Sequence, residues 1–212
     1  EAPQLMASGE FDDAMAALDA LASQPRVVAV GETGLDYFRT PPERQQDQRD
    51  AFVAHIELAK KHGLALQIHD RDAHDDVVAT LLEVGAPDKT VFHCFSGDRQ
   101  LAETLAEHGW YASFSGTVTF GNAHGLREAL VVMPRSQILI ETDTPFLTPT
   151  PHRGKPNSPY MVPYTLRSMA ETLDMDVTLL AAQLTDNTFQ VYGRFDDAPV
   201  TGPDSVLREP HQ

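Results

Sequence analysis

At 212 residues the chain has material for one large domain with a sizeable core. Its formal net charge of −15 argues against a protein that coats nucleic acid, which needs clustered lysine and arginine to replace counterions. That charge still leaves room for a hydrolase that touches nucleic acid briefly and holds phosphate locally. No apolar stretch approaches the roughly 20 residues needed to span a bilayer, and no membrane role is expected. The opening EAPQLMASGEFDD lacks a basic segment followed by an apolar one, so no signal peptide is expected. Cys94 is the lone cysteine, which leaves no partner for a disulfide within this sequence and fits a reducing cytoplasm. A small packing role beside His93 suits it.

Phe11, Met15, Leu18 and Ala22 recur at helical spacing over residues 11 to 22, and Pro25 stops the pattern. The run Val27–Val30 reads as a strand that delivers Glu32. After the Pro41-Pro42 break, Phe52, Ile56 and Ala59 mark one face of a helix from about Glu43 to His62. Lys60, Lys61 and His62 suit its C-terminal dipole, and Gly63 suits the position just beyond it. The rhythm then repeats: strand Leu64–Ile68, helix Asp75–Val84, strand Thr90–Phe95, helix Arg99–His108, strand Trp110–Phe114, a helix around Leu126–Val132 and strand Gln137–Glu141. A proline-rich loop from Pro145 to Pro163 follows. Helical patterns resume at Tyr164–Met175, Thr178–Leu184 and Asn187–Tyr192. The segment 195–212 is polar and proline-containing and reads as a fraying tail, leaving 1–194 as a single domain.

Strands of continuous aliphatic character alternating with helices are the mark of an α/β protein with a parallel sheet. In such sheets the C-terminal strand ends converge on one mouth. Glu32, His69, His93 and Asp143 each end or follow one of these apolar runs, in GETGLD, QIHDRDA, VFHCFSG and IETDTP. One histidine so placed is ordinarily a hydrogen-bonded core residue. Two, converging with two carboxylates, have the makings of a divalent-metal site.

Glu32 suits a carboxylate bridging two cations, with Gly31 and Gly34 easing the tight backbone around it. Asp143 suits a metal ligand that also takes a proton from the attacking water. Glu141 is expected to face the helices or to support the site from behind. Arg71, Arg153 and Lys155 are candidates for phosphate contacts, and Ser96 could offer a hydroxyl donor. Mixed imidazole and carboxylate donors suit Zn²⁺, Mn²⁺, Ni²⁺ or Fe²⁺, while Mg²⁺ prefers oxygen alone.

The strings GETGLDYF, IHDRDA, FHCFSG, SFSGTVTF, ETDTPFLTP and PHRGKPNSP, in that order between Val27 and Asn187, resemble the TatD family of metal-dependent deoxyribonucleases. Asp186-Asn187 also resembles a motif near the family's C-terminal end. The resemblance implies an amidohydrolase-like TIM (β/α)8 barrel with two divalent ions per subunit. It implies that Glu32, His69, His93 and Asp143 are ligands, the glutamate bridging. The implied activity is phosphodiester hydrolysis, often by 3′-to-5′ exonuclease action on DNA, and some relatives are linked to removal of D-amino acids from tRNA. DNA or RNA ends are then transient substrates, and no stable protein partner is expected. One departure stands out, because the family opens with a His-x-His strand and no two histidines here are two apart. The expectation is therefore that the last five strands of the barrel are present and the first three are missing. The alternatives are an ester or amide hydrolase, such as a D-aminoacyl-tRNA deacylase, or an inactive truncated scaffold without the first ligand pair.

Overall fold

The computed structural model describes residues 2–194; the expected tail at 195–212 lies outside the described residues. Five strands form one parallel sheet in the order β1-β2-β3-β4-β5. They are β1 Ala29–Asp36, β2 Ala65–Arg71, β3 Thr90–Phe92, β4 Tyr111–Phe114 and β5 Ile138–Ile140. Chain order and spatial order agree because each strand returns to its neighbour through a helix. Among the described residues β1 and β5 are the sheet's edges and do not pair with each other. The helices are α1 Ala2–Ser8, α2 Phe11–Ala22, α3 Gln45–His62, α4 His74–Val84, α5 Arg99–His108, α6 His124–Val132, α7 Val162–Thr172 and α8 Val177–Tyr192. None is long and apolar enough to cross a membrane.

The helix ends follow from local chemistry. Gly63 ends α3 at φ 63°, and its N–H bonds back to Lys60 while Leu64 bonds back to Ala59. Asp98 starts α5 by accepting from the Leu101 N–H at 3.1 Å, and Asp176 starts α8 by accepting from Thr178 and Leu179.

Alternate residues of each strand go to opposite faces. Leu66, Ile68, Phe92, Ala112, Phe114 and Ile138 turn to the helices and join Phe52, Ile56, Leu81, Leu105 and Leu130 in the main core. The other face carries Ala65, Val91 and Leu139, covered by Val191 at the end of α8. Continuing that second parity toward the strand ends leads to His69, His93, Glu141 and Asp143.

Several expectations are corrected here. The first strand runs to Asp36 rather than stopping at Val30, so Glu32 lies within it. Val30 pairs with Leu66 and Thr33 with Ile68, so β1 carries one extra residue at Gly31–Glu32. Such a bulge re-aims a side chain without ending the strand, and no aliphatic pattern signals it. The patterns at 178–184 and 187–192 form the single helix α8, because Asp186 does not interrupt the hydrogen-bond ladder. An additional helix, α1, precedes the first expected one.

Candidate metal centre

The bulge in β1 turns Glu32 toward the two histidines of the neighbouring strands. Gly34, at φ 128°, lies against β2 so closely that an added Cβ would sit 2.1 Å from the His69 carbonyl oxygen. Only glycine lets β1 approach there. His69 lies on the second-parity row of β2, two residues before its end, and its imidazole bridges two carboxylates. Nδ1 lies 2.8 Å from Glu32 Oε1, and Nε2 lies 3.2 Å from Asp36 Oδ2. His93 follows β3 directly and also meets Glu32 Oε1 through Nε2. Its Nδ1 lies 3.3 Å from Glu141 Oε1. The two rings are 5.9 Å apart.

Ionised carboxylates only accept hydrogen bonds, so a ring with both nitrogens facing carboxylates donates from both and carries a charge. The titration behaviour agrees. Burial opposes charge on His93, but hydrogen bonds to Glu141 and Glu32 outweigh it and push the group up to about 10. The hydrogen bond to Glu32 raises His69 against the effect of burial. Hydrogen bonds from His69 and His93 hold Glu32 far below the usual carboxylate range. Burial raises Asp143; His93 opposes this, while the Glu141 and Glu32 charges add to it.

This cluster fits a divalent cation on its donor chemistry. Ligand atoms of Glu32, His69 and His93 all lie within 4.8 Å of one another, as do those of His93, Glu141 and Asp143. Protons hold the imidazoles between the carboxylates where a cation would otherwise sit. With Glu32, Asp36, Glu141 and Asp143 around two rings, the group stays net acidic even when both are protonated.

All four sequence-derived ligand candidates are thus brought together. Of the two expectations for Glu141, facing the helices or supporting the site from behind, its contact with His93 Nδ1 fits the second, and it lies two residues beyond Leu139 on the site's face. Asp36 was missed, although its parity with Glu32 in GETGLD was a usable signal. Asn157 was also missed. Buried in the long loop, its Nδ2 donates to the carbonyls of Thr142 and Phe146 at 2.6 Å each. Its backbone N–H bonds Pro145 O, and its own carbonyl accepts from Thr144. It thereby clasps the turn in which Asp143 adopts φ 56°.

The expected substrate residues lie on the rim. Arg71 ends β2 and stacks on Phe38, with Cζ 3.8 Å from the ring centre. Arg153 stacks on Phe120 at 3.6 Å. Exposed Ser96 donates to the Asp70 carbonyl at 3.0 Å, which keeps its oxygen lone pairs free. Lys155 is exposed and forms no ion pair among the described residues. Cys94 is pushed up to about 12 by burial and bonds Ser115 at 3.2 Å, as a packing residue would. A cavity of about 490 Å³ between α1, α2, β1 and α3 is lined by Leu5, Phe11 and Met15 and reaches Glu32 and His69.

Parallel βα units that gather imidazoles and carboxylates at their C-terminal ends define an α/β protein of the amidohydrolase-like, TIM-barrel type. The chain belongs to the TatD related DNase family, whose sequence profile matches residues 3–193. It is 47% identical over 188 residues to the uncharacterized metal-dependent hydrolase TatD of Mycobacterium tuberculosis, covering 86% of this chain and 70% of the relative. It is 43% identical over 173 residues to the uncharacterized metal-dependent hydrolase YcfH of Escherichia coli K12, covering 81% of this chain and 65% of that one. The crystal structure of YJJV, a TatD homolog from Escherichia coli K12, superposes with a TM-score of 0.81 at 28% identity, covering 86% of this chain and 71% of that one. A TatD family hydrolase from Entamoeba histolytica shares the fold, with a TM-score of 0.76 at 19% identity, covering 91% of this chain and 71% of that one. The chain therefore spans about two thirds to 71% of the length of these relatives.

Proposed function

We propose that this domain is a divalent-metal-dependent hydrolase of phosphodiester bonds, trimming DNA from its 3′ ends in the cytoplasm. The observation that carries the reading is the convergence of Glu32, His69, His93, Glu141 and Asp143 on one mouth, in two triads that share His93, each with its ligand atoms close enough together for one cation. The names of the relatives, metal-dependent hydrolases within a DNase family, support the same class.

Glu32, His69 and His93 would hold one ion, and Asp143 would offer its carboxylate toward a second. A divalent ion bound there supplies Lewis acidity to phosphoryl oxygens and to water. The chain's residues do the rest. Asp36 and Glu141 accept from the outer ring nitrogens and fix how the imidazoles point. Asp143, raised by burial, accepts the proton released as water attacks phosphorus. Arg71, Arg153 and Lys155 hold the non-bridging phosphate oxygens, and Ser96 offers a further polar contact.

The test is hydrolysis of a 5′-labelled single-stranded oligonucleotide with Mg²⁺, Mn²⁺, Zn²⁺, Ni²⁺ or Fe²⁺, with metal content measured on the same sample. Stepwise shortening from the 3′ end is expected. Glu32→Ala and Asp143→Ala should each reduce kcat by about 100-fold or more while the thermal transition stays close to that of the parent. Near-full activity in either variant would overturn the site assignment. Turnover of D-aminoacyl-tRNA alone would move the substrate to a carbonyl centre.

A further inference from the structure

Helix α3 buries one stripe along its length, where Phe52, Ile56 and Ala59 are completely out of water. One turn before Phe52 the same stripe carries Gln48, a polar amide where packing alone asks for an aliphatic side chain. Gln48 is half-buried and borders two cavities. One, of about 490 Å³, reaches Glu32 and His69, and the other, of about 530 Å³, reaches Asp36 and Arg39. A side chain between two cavities is poorly placed as filling, so its polarity needs another reason.

The reason lies at the end of β1. Tyr37 N–H bonds Arg71 O on β2, so the Asp36 N–H, one residue earlier, points away from β2 to the strand's open edge. Among the described residues no strand pairs there, and Gln48 Oε1 accepts that N–H at 3.0 Å. Asp36 is then held at each of its polar atoms. Its carbonyl accepts from Thr40 N–H at 3.0 Å, Oδ1 accepts from Arg39 N–H at 3.0 Å, and Oδ2 faces His69 Nε2 at 3.2 Å. The Arg39 and Thr40 contacts lie in the turn that Asp36 itself starts, and they move with it. Gln48 ties Asp36 to α3 instead.

We infer that Gln48 is a positioning residue of the metal centre, fixing the direction of the His69 ring through Asp36. The inference rests on the metal-dependent reading above and extends it to a residue outside the ligand set. Asp36 Oδ2 accepts from Nε2–H of His69 and so leaves Nδ1 toward Glu32. Without the Gln48 acceptor, the Asp36 peptide is free to turn toward water and takes its carboxylate with it. The ring then samples more orientations, and a cation must freeze them on binding.

The experiment compares Gln48→Met, which keeps the side-chain length and removes the acceptor, with Gln48→Glu, which keeps an acceptor. Affinities for Zn²⁺ and Mn²⁺ are measured by competition with a chromophoric chelator, and exchange of the His69 Nε2–H proton is followed by NMR in metal-free protein. Gln48→Met should weaken the affinity by about 10-fold, the lower end for residues that orient a ligand, and should speed exchange of the ring proton. Gln48→Glu should restore most of both. In an Asp36→Ala background Gln48→Met should change the affinity no further, because the coupling passes through Asp36. Phe52→Ala separates this role from a structural one, since it loosens the same stripe of α3 and should leave the folded protein's affinity alone. Parent-like affinity and exchange in Gln48→Met would overturn the inference, as would an equally large loss in the absence of the Asp36 carboxylate. If the parent took up no divalent ion, the metal reading would fall, and ring-proton exchange would still decide the role of Gln48.

Discussion

The face of the sheet that turns to α3–α7 and the face that carries His69 and His93 are built from alternate residues of the same strands. On the first, Phe52, Ile56, Leu66, Ile68, Phe92 and Phe114 are almost completely buried in one apolar cluster. On the second, the strand ends carry carboxylates and imidazoles held in place by one another, with Asp143 and Cys94 at positive φ nearby. The helical side lowers free energy by removing apolar surface from water. The mouth concentrates like charges and unusual backbone. Such features persist only where the surrounding structure over-determines them, and they mark a surface shaped for a ligand.

Several measurements break or sharpen that contrast. Phe52→Ala, at a fully buried position behind the sheet, should cost about 3–5 kcal/mol in urea unfolding. The molecules still folded should bind metal as before. Glu141→Gln should do the reverse. It leaves the apolar core intact and weakens metal affinity by about 10- to 100-fold, because His93 loses a charged partner; any cost in urea midpoint is confined to chelator-treated protein in which His93 is protonated. If Phe52→Ala also weakened metal affinity, the two faces would not be separable.

Asn157→Ala lies between these cases. It strips the donors from the Thr142 and Phe146 carbonyls, at an expected cost of about 1–3 kcal/mol. It should lower kcat more than it raises KM, since it frees the turn bearing Asp143.

The gentlest probe is pH. His93 is raised from 6.5 to about 10, so in metal-free protein its contribution to stability is complete below pH 6.5 and is lost as pH climbs through 10. The urea midpoint of chelator-treated protein should fall across that interval. A saturating divalent metal should remove the fall, because binding displaces those protons, and apparent affinity should rise with pH. A flat profile without metal would mean that the imidazoles are not held by Glu32 and Glu141 as described.

Much of this was legible in the residues themselves. The aliphatic runs at 64–68, 90–95 and 110–114 and the caps at Gly63 and Gly109 located the βα units, because burial and helix termination are local demands on residue type. His69, His93 and Asp143 were legible because each stands where an apolar run stops. Glu32 was legible as a ligand candidate, but not as part of a bulge inside a strand. Glu141 needed only a parity count along β5 to be seen beside Asp143. Asn157 gave no local sign, since its carbonyl partners lie 11 and 15 residues earlier.

The sequence by itself determined the alternation of strands and helices, the acid and imidazole inventory and the family, since each is written in short-range pattern. Only the tertiary structure decided that β1 bulges at Glu32, that Asp36 and Glu141 grip the two imidazoles, and that Arg71 and Arg153 lie on aromatic rings. Those contacts join different strands and loops. Their geometry follows from sheet register and loop packing, which depend on the whole chain at once.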